Sequence, residues 1–364
     1  MEKNSIPSVI HLYPSMRCQL NCKYCYVNAV NKELEELSLE EYESVIRQAI
    51  ALGIVTFDIA GGEPFIYGHI MELLKMIKRM GGFSKVVTNG YYLDRYVELL
   101  KQEKGLIKEL HVSLDSVRAD IHDETRGCKG LFDKVIKNLT LYKKEMISPV
   151  RINYVLQKGT YLELEEMLDY LETQGIDGID IQYVEDVSDK TKNGDFTLNC
   201  QELVMAVERI ITWKMNTYAN LDILIALPSY IFAAFSPELK KRLKESGVQT
   251  IYFPGLLRNN YFKEALIIKQ NGDVTGCTGY INEEQWVCAN VRETTLETII
   301  KEAFPNMRTR LESLCSRRLG GECKDCPSKR FCRGNEGVLQ KEEIVQCPIK
   351  EDLINYITRN REER

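Results

Sequence analysis

Apolar, β-branched runs recur through the first half of the chain, separated by stretches whose polar and apolar positions alternate at helical spacing. The runs are Val9–Tyr13, Ile54–Ile59, Lys85–Thr88, Glu109–Leu114, Arg151–Leu156 and Gly178–Tyr183. Near-continuous runs of this kind suit strands covered on both faces of a parallel sheet. Ser38 opens an amphipathic stretch that reaches Leu52, and Glu41 completes a capping box with it. Further helical stretches cover Gly68–Met80, Tyr91–Gln102, Leu131–Glu145 and Thr160–Gln174. Six strand-then-helix units predict an α/β fold with right-handed crossovers. Six is short of the eight that close a barrel. The expectation is an open, partial (β/α)6 TIM-like barrel with its chemistry at the C-terminal ends of the strands.

Near residue 193 the pattern changes. Cys200–Thr217 and Pro237–Lys244 read as helices, so 193–250 is expected to be a helical connection between two parts. The barrel then occupies 1–192, and a cysteine-rich domain occupies 251–364. Leu266–Val274 within that domain reads as a hairpin with Asn271-Gly272 at its turn. The acidic run Glu33–Glu36 reads as a solvated surface.

Composition narrows the functional classes. The formal charge is −5, too acidic for the strong basic field of a nucleic-acid binder. No apolar run approaches the ~20 residues of a membrane span, and Met1–Ser8 lacks the apolar stretch of a signal peptide. The expectation is a cytoplasmic protein with no nucleic-acid and no membrane partner.

The twelve cysteines change the picture most. In a long chain without an export signal they point to metal binding rather than disulfides. Cys18, Cys22 and Cys25 lie together, and Cys277, Cys288, Cys315, Cys323, Cys326, Cys332 and Cys347 fall in the last quarter. Cys128 and Cys200 stand apart and read as small buried hydrophobes. Cys18-x3-Cys22-x2-Cys25 directly follows the first strand. Three thiolates leave one iron of a [4Fe–4S] cube open to a substrate, whereas a closed cluster takes four. Zinc is the alternative, but no His follows closely enough to be an obvious fourth ligand, and His11 reads as an inward core position. Cys323-x2-Cys326-x5-Cys332 with Cys347-Pro348 is a second metal signature, for which spacing alone favours a zinc ribbon over a closed iron–sulfur cluster.

The C-x3-C-x2-C loop, with Tyr24 before its last cysteine, resembles the radical S-adenosylmethionine (SAM) superfamily. The order of further motifs strengthens the likeness: Gly61-Gly62-Glu63-Pro64 ends the second strand, Thr88-Asn89-Gly90 the third and Ser113-Leu114-Asp115 the fourth, with Arg126 beyond. The resemblance implies a [4Fe–4S] cluster on Cys18, Cys22 and Cys25 and SAM as cofactor. It implies that Gly61, Gly62, Glu63 and Pro64 lie at the methionine amino group and that Arg126 holds the carboxylate. Ser113 then adds a hydroxyl contact, Tyr24 packs near the adenine, and Asn89 joins the cofactor-binding set. The C-terminal cysteines resemble the SPASM extension of such enzymes, which implies an auxiliary cluster on Cys323, Cys326, Cys332 and Cys347. A first auxiliary cluster would begin at Cys277, but two expected ligand positions hold Thr294 and Glu336. Cys288 and Cys315 are the candidate substitutes, so one or two auxiliary clusters are expected.

By the same resemblance the substrate is a ribosomally made peptide or protein, modified by a crosslink or side-chain oxidation. The core starts almost at residue one, with no winged-helix leader-binding domain before it. Leader recognition is then expected from a separate protein or another surface, and electrons from a flavodoxin- or ferredoxin-type donor. The second reading is a tetrapyrrole or other small-molecule substrate. A non-enzymatic zinc-ribbon binding protein is the alternative of a different class.

Overall fold

The computed structural model describes residues 6–29, 34–145, 147–184, 196–253, 265–276, 278, 281–310, 326 and 350–362. The chain divides into two compact units: 1–114, 118–152 and 260–309 form one, and 115–117, 153–259 and 310–364 the other.

The first unit is built on parallel strands β1 (Val9–Ser15), β2 (Thr56–Gly61), β3 (Phe83–Thr88) and β4 (Glu109–Ser113). β1 pairs with β2, β2 with β3 and β3 with β4, each in parallel. The order follows the chain because each strand is carried to the next by a crossover helix. These helices are α1 (Leu39–Ala51), α2 (Ile70–Arg79) and α3 (Val97–Gln102). Two more follow β4, α4 (Ala119–Arg126) and α5 (Leu131–Lys144). The division between the units falls within β5 (Val150–Leu156).

Side-chain alternation divides each strand. Ile10, Leu12, Phe57, Ile59, Val86, Leu110 and Val112 are fully buried, forming the apolar core. A polar row runs across the same sheet: His11 is in register with Asp58, Asp58 with Lys85, and Lys85 with Glu109. His11 is therefore not an apolar core position. Its Nδ1 lies 3.6 Å from the Asp58 carboxylate, and burial holds its pKa below the usual value against the pull of Asp58.

The hairpin expected at Leu266–Val274 extends this sheet. β9 (Ala265–Ile268) runs parallel to β1, and β10 (Asp273–Thr275) returns antiparallel to it. β11 (Ala289–Asn290) pairs with β10. The turn holds Asn271-Gly272, as expected, within a three-residue loop. Lys269 N–H donates to Asp273 O, Gly272 N–H donates to Lys269 O, and Gly272 alone has positive φ, at 89°. A three-residue loop ending in a left-handed glycine matches that geometry.

The second unit carries parallel strands β6 (Gly178–Tyr183), β7 (Asp222–Pro228) and β8 (Gln249–Phe253). With them are α6 (Leu164–Thr173), α7 (Cys200–Thr217), α8 (Pro237–Glu245) and α9 (Lys350–Glu362). The segment read as a helical connection thus also supplies β7 and the start of β8. α9 meets α7 where the Cys200 N–H donates to Asp352 Oδ2 at 2.7 Å. Cys200 is buried, as its core reading requires.

The capping box at α1 is present in full. Glu41 N–H donates to Ser38 Oγ at 3.2 Å, and Ser38 N–H donates to Glu41 Oε2 at 2.7 Å. The helix buries Tyr42, Val45, Ile46 and Ala49, one stripe at helical spacing. Ser38→Ala is expected to lower stability by about 1 kcal/mol, read as a shifted urea midpoint at unchanged slope. An unmoved midpoint would show that the cap contributes nothing measurable.

Candidate active site

The cysteine loop leaves the end of β1 and is held at both ends. At its start, Arg17 Nε donates to Ser15 Oγ at 3.2 Å and to Glu36 Oε1 at 3.1 Å. Glu36 belongs to the acidic run read as a solvated surface, so part of that run braces the loop. Glu35 of the same run and Glu41 pair with Arg292. At its end, Asn282 Nδ2 donates to the carbonyls of Tyr26 and Val27 at 3.2 and 3.0 Å. Val27, Tyr13, Met16, Ile267 and Ile281 form a small buried cluster, with Cys25 packed against it.

Cys18 is buried, Cys22 and Cys25 are half-buried, and no disulfide joins them. The Cys18 sulfur accepts hydrogen bonds from Leu20 N at 3.4 Å and Asn89 Nδ2 at 3.7 Å. Burial pushes its pKa up to about 12, and Glu63, Cys22 and Cys25 add to the rise against the Leu20 hydrogen bond. Three thiolates within electrostatic reach of one another are costly unless a cationic centre offsets them. Two N–H donors aimed at one sulfur also suit a ligating thiolate better than a thiol. These features fit an iron–sulfur cluster held by Cys18, Cys22 and Cys25. Among the described residues, no three His, Cys, Asp or Glu side chains gather around a position for a single metal ion.

The glycine segment docks onto the stem of this loop. Gly62 N–H donates to Ser15 O at 2.9 Å and Glu63 N–H to Arg17 O at 2.8 Å. A Cβ on Gly61 would lie 2.5 Å from Ser15 O, and one on Gly62 would lie 2.1 Å from Arg17 O. Gly61 also has φ of 120°, a conformation open to glycine and strained for other residues. Both glycines are therefore demanded by backbone approach within the protein. Pro64 opens the short 3₁₀ turn Pro64–Ile66 that follows.

Glu63 is fully buried, and its carboxylate faces the end of β3. Thr88 Oγ1 donates to Oε1 at 2.7 Å, Phe65 N–H to Oε1 at 3.1 Å, and Asn89 N–H to Oε2 at 2.8 Å. Burial raises its pKa to about 7, opposed by these three hydrogen bonds and by the charge of Arg126. The side chain thus braces two motifs against each other. Asn89 Oδ1 accepts from Gln19 Nε2 at 3.0 Å, tying the third strand to the cysteine loop as well.

Arg126 and Tyr24 meet on the other side. The guanidinium carbon of Arg126 lies 5.5 Å from the centre of the Tyr24 ring, and Arg126 is only 7% exposed. It ends α4, a helix the hydrophobic pattern did not show because its stripe is short and polar. The signal that could have marked it is Gly127, which caps the helix at φ 65°. A Cβ on Gly127 would lie 2.7 Å from Asn21 O, and Lys23 N–H donates to Thr125 O at 3.0 Å. The end of α4 is packed directly on the cysteine loop. Ser113 is buried at the end of β4.

Of the C-terminal candidates, Cys277, Cys315, Cys323, Cys332 and Cys347 lie outside the described residues. Cys326 is a half-buried free thiol. The Cys288 thiol donates to Val274 O at 3.3 Å, and burial pushes its pKa up to about 12.

Comparison with known proteins bears on the family. Residues 12–171 match the radical SAM superfamily model. These residues form a radical SAM superfamily domain. Residues 260–327 match the SPASM model, an iron–sulfur cluster-binding domain. The radical SAM domain brings a SAM-binding [4Fe–4S] cluster, and the SPASM domain brings auxiliary iron–sulfur binding. A GTP 3',8-cyclase of Alkaliphilus oremlandii is 34% identical over 174 residues, 46% of this chain and 52% of that protein. The Fe-coproporphyrin III synthase of Methanosarcina barkeri is 30% identical, covering 54% of this chain and 48% of that protein. The subtilosin biosynthesis protein AlbA of Bacillus subtilis is 28% identical, over 50% and 41% of the two. The chain thus spans about half the length of the curated relatives it matches. Streptococcus suis SuiB bound to its precursor peptide SuiA shares the fold, with TM-score 0.72 at 21% identity over 95% of this chain and 76% of SuiB. So does anSMEcpe with bound AdoMet, with TM-score 0.67 at 18% identity over 99% of both chains.

Glu63→Gln is expected to destabilise this radical SAM domain by about 1–3 kcal/mol, because its amide sets an N–H group against a protein donor. Denaturant unfolding measures it. Unchanged stability would show that the carboxylate does not brace the loop.

Proposed function

We propose that this chain is a radical SAM oxidoreductase that modifies a ribosomally synthesised peptide or protein, through a crosslink or a side-chain oxidation. The observation that carries the reading is the three-thiol loop, docked on the backbone of Gly61-Gly62-Glu63, with buried Arg126 beside Tyr24. When bound, the cluster supplies the electron that cleaves SAM to methionine and the 5'-deoxyadenosyl radical, which takes hydrogen from the substrate.

The chain's own residues bind and orient. Cys18, Cys22 and Cys25 would hold the cluster, supplying three protein ligands where a closed cluster takes four. The backbone at Gly61 and Gly62 would face the methionine amino group, and Arg126 would hold the carboxylate by a charge-assisted hydrogen bond. Tyr24 packs near the adenine, and Ser113 adds a hydroxyl. Glu63 and Pro64 shape the segment that meets the methionine amino group. Cys323, Cys326, Cys332 and Cys347 hold an auxiliary [4Fe–4S] cluster, and Cys277, Cys288 and Cys315 are the thiols available for a second. A flavodoxin- or ferredoxin-type protein supplies electrons, and a separate protein or another surface recognises the peptide's leader.

The peptide reading is supported by the fold shared with SuiB, whose complex contains a precursor peptide, and by the likeness to a bacteriocin biosynthesis protein. The identity to Fe-coproporphyrin III synthase and to GTP 3',8-cyclase favours the second reading, a tetrapyrrole or other small-molecule substrate. Incubation with candidate peptides, scored by mass loss and deoxyadenosine release, separates the two. Turnover only with a small molecule would refute the peptide assignment.

Replacing Cys18, Cys22 and Cys25 together by Ala is expected to abolish deoxyadenosine formation while leaving a brown protein with about four irons, one cube on the remaining thiolates. Iron and zinc analysis after anaerobic reconstitution checks it. A variant carrying zinc and no iron would refute the auxiliary cluster.

Arg126→Ala is expected to weaken SAM binding by about 1.5–3 kcal/mol, the range for a hydrogen bond to a charged group. Lysine restores only part, lacking the planar fork. Equilibrium dialysis measures both, and an unchanged dissociation constant would leave Arg126 with a structural role beside Tyr24.

A further inference from the structure

The side chain of Asn89 has a use that the motif does not announce. Its Oδ1 accepts from Gln19 Nε2 at 3.0 Å and from the Tyr91 N–H at 3.0 Å. Donors on that atom identify it as the carbonyl oxygen. The amide nitrogen is then the atom that lies 3.7 Å from the Cys18 sulfur. The backbone of the same residue is pinned by the bond from Asn89 N–H to Glu63 Oε2 at 2.8 Å. Asn89 is 7% exposed, so water competes little for the amide. Three independent anchors, from the cysteine loop, the glycine segment and the turn after β3, thus aim one N–H donor at one sulfur.

We propose that the Asn89 amide sets the reduction potential of the cluster held by Cys18, through this N–H···S hydrogen bond. The proposal rests on the radical SAM reading of the site. A donor draws electron density from a ligating thiolate and stabilises the more negative, reduced state. Its presence raises the potential, and its loss lowers it. Asn89 is therefore a positioning and tuning residue that acts through Cys18. That use differs from the direct SAM contact implied by the resemblance. Both amide atoms are already engaged, by Gln19, Tyr91 and Cys18. Gln19 acts one step further out, as the side chain that fixes which way the amide points.

The test is an anaerobic redox titration of the EPR signal that changes on adding SAM, in wild-type protein and in Asn89→Asp. Aspartate keeps an acceptor for Gln19 and Tyr91 but turns a carboxylate oxygen toward the sulfur. A midpoint more negative than that of the wild type is expected. An unchanged or more positive midpoint overturns the proposal. A second measurement needs no substitution at Asn89. Pulsed EPR of wild-type protein labelled with side-chain 15N-asparagine should show a 15N coupling on the same signal, and Asn21→Ser should retain it. Absence of the coupling, or its loss in Asn21→Ser, overturns the proposal. Wild-type protein with no SAM-responsive signal would instead remove the reading of the site, and this proposal with it.

Discussion

The close approach of two backbone segments organises everything around the site. Gly62 N–H reaches Ser15 O and Glu63 N–H reaches Arg17 O, which continues the β1–β2 pairing past the end of the regular ladder. That approach leaves no room for a Cβ at Gly61 or Gly62. It sets the residue before Cys18 against the residue that braces β3. Glu63 then carries the arrangement one strand further, since its carboxylate accepts from Thr88 and from the Asn89 backbone. Ionising a fully buried carboxylate is costly, and the hydrogen bonds offset that cost locally. Three strand ends are thereby held in one geometry by the chain's own groups.

The cysteine loop is closed from two further directions. Gly127 and Thr125 bring the end of α4 against Asn21 and Lys23. Asn282, far along the chain, caps the carbonyls of Tyr26 and Val27. β9 lies beside β1 in the same sheet, and Ile267 and Ile281 pack in the cluster that includes Val27. Part of the segment matching the SPASM domain is thus a structural support for the loop bearing the first three cysteines. Within this unit, the exit of the loop is ordered by residues that follow it by more than 250 positions.

Much of the scaffold is legible in the sequence because it follows from local periodicity. Six apolar runs became strands within a few residues of the expected bounds, the stripe at Tyr91–Gln102 became a helix only from Val97, and Ser38 with Glu41 capped α1 as their spacing requires. β7 and β8 escaped because their short runs sit between strong helices, and strand identity there depends on the neighbour each pairs with. Cys200 was readable as core, whereas His11 was not, because its polar neighbours Asp58 and Lys85 come from other strands.

The candidate site divides in the same way. Residue type and spacing alone determined that Cys18, Cys22 and Cys25 form one thiol-rich loop after a strand, and that glycines close the next. These are facts about neighbours along the chain. The direction of each side chain was decided by tertiary structure. Glu63 turns to Thr88, Asn89 turns its amide to Cys18, and Arg126 lies over Tyr24. Each such contact joins residues from separate strands, loops or helices, and a hydrogen bond or ring contact forms only where packing brings its partners within reach. Spacing determines which groups can share a loop, and the fold determines which partner satisfies each one.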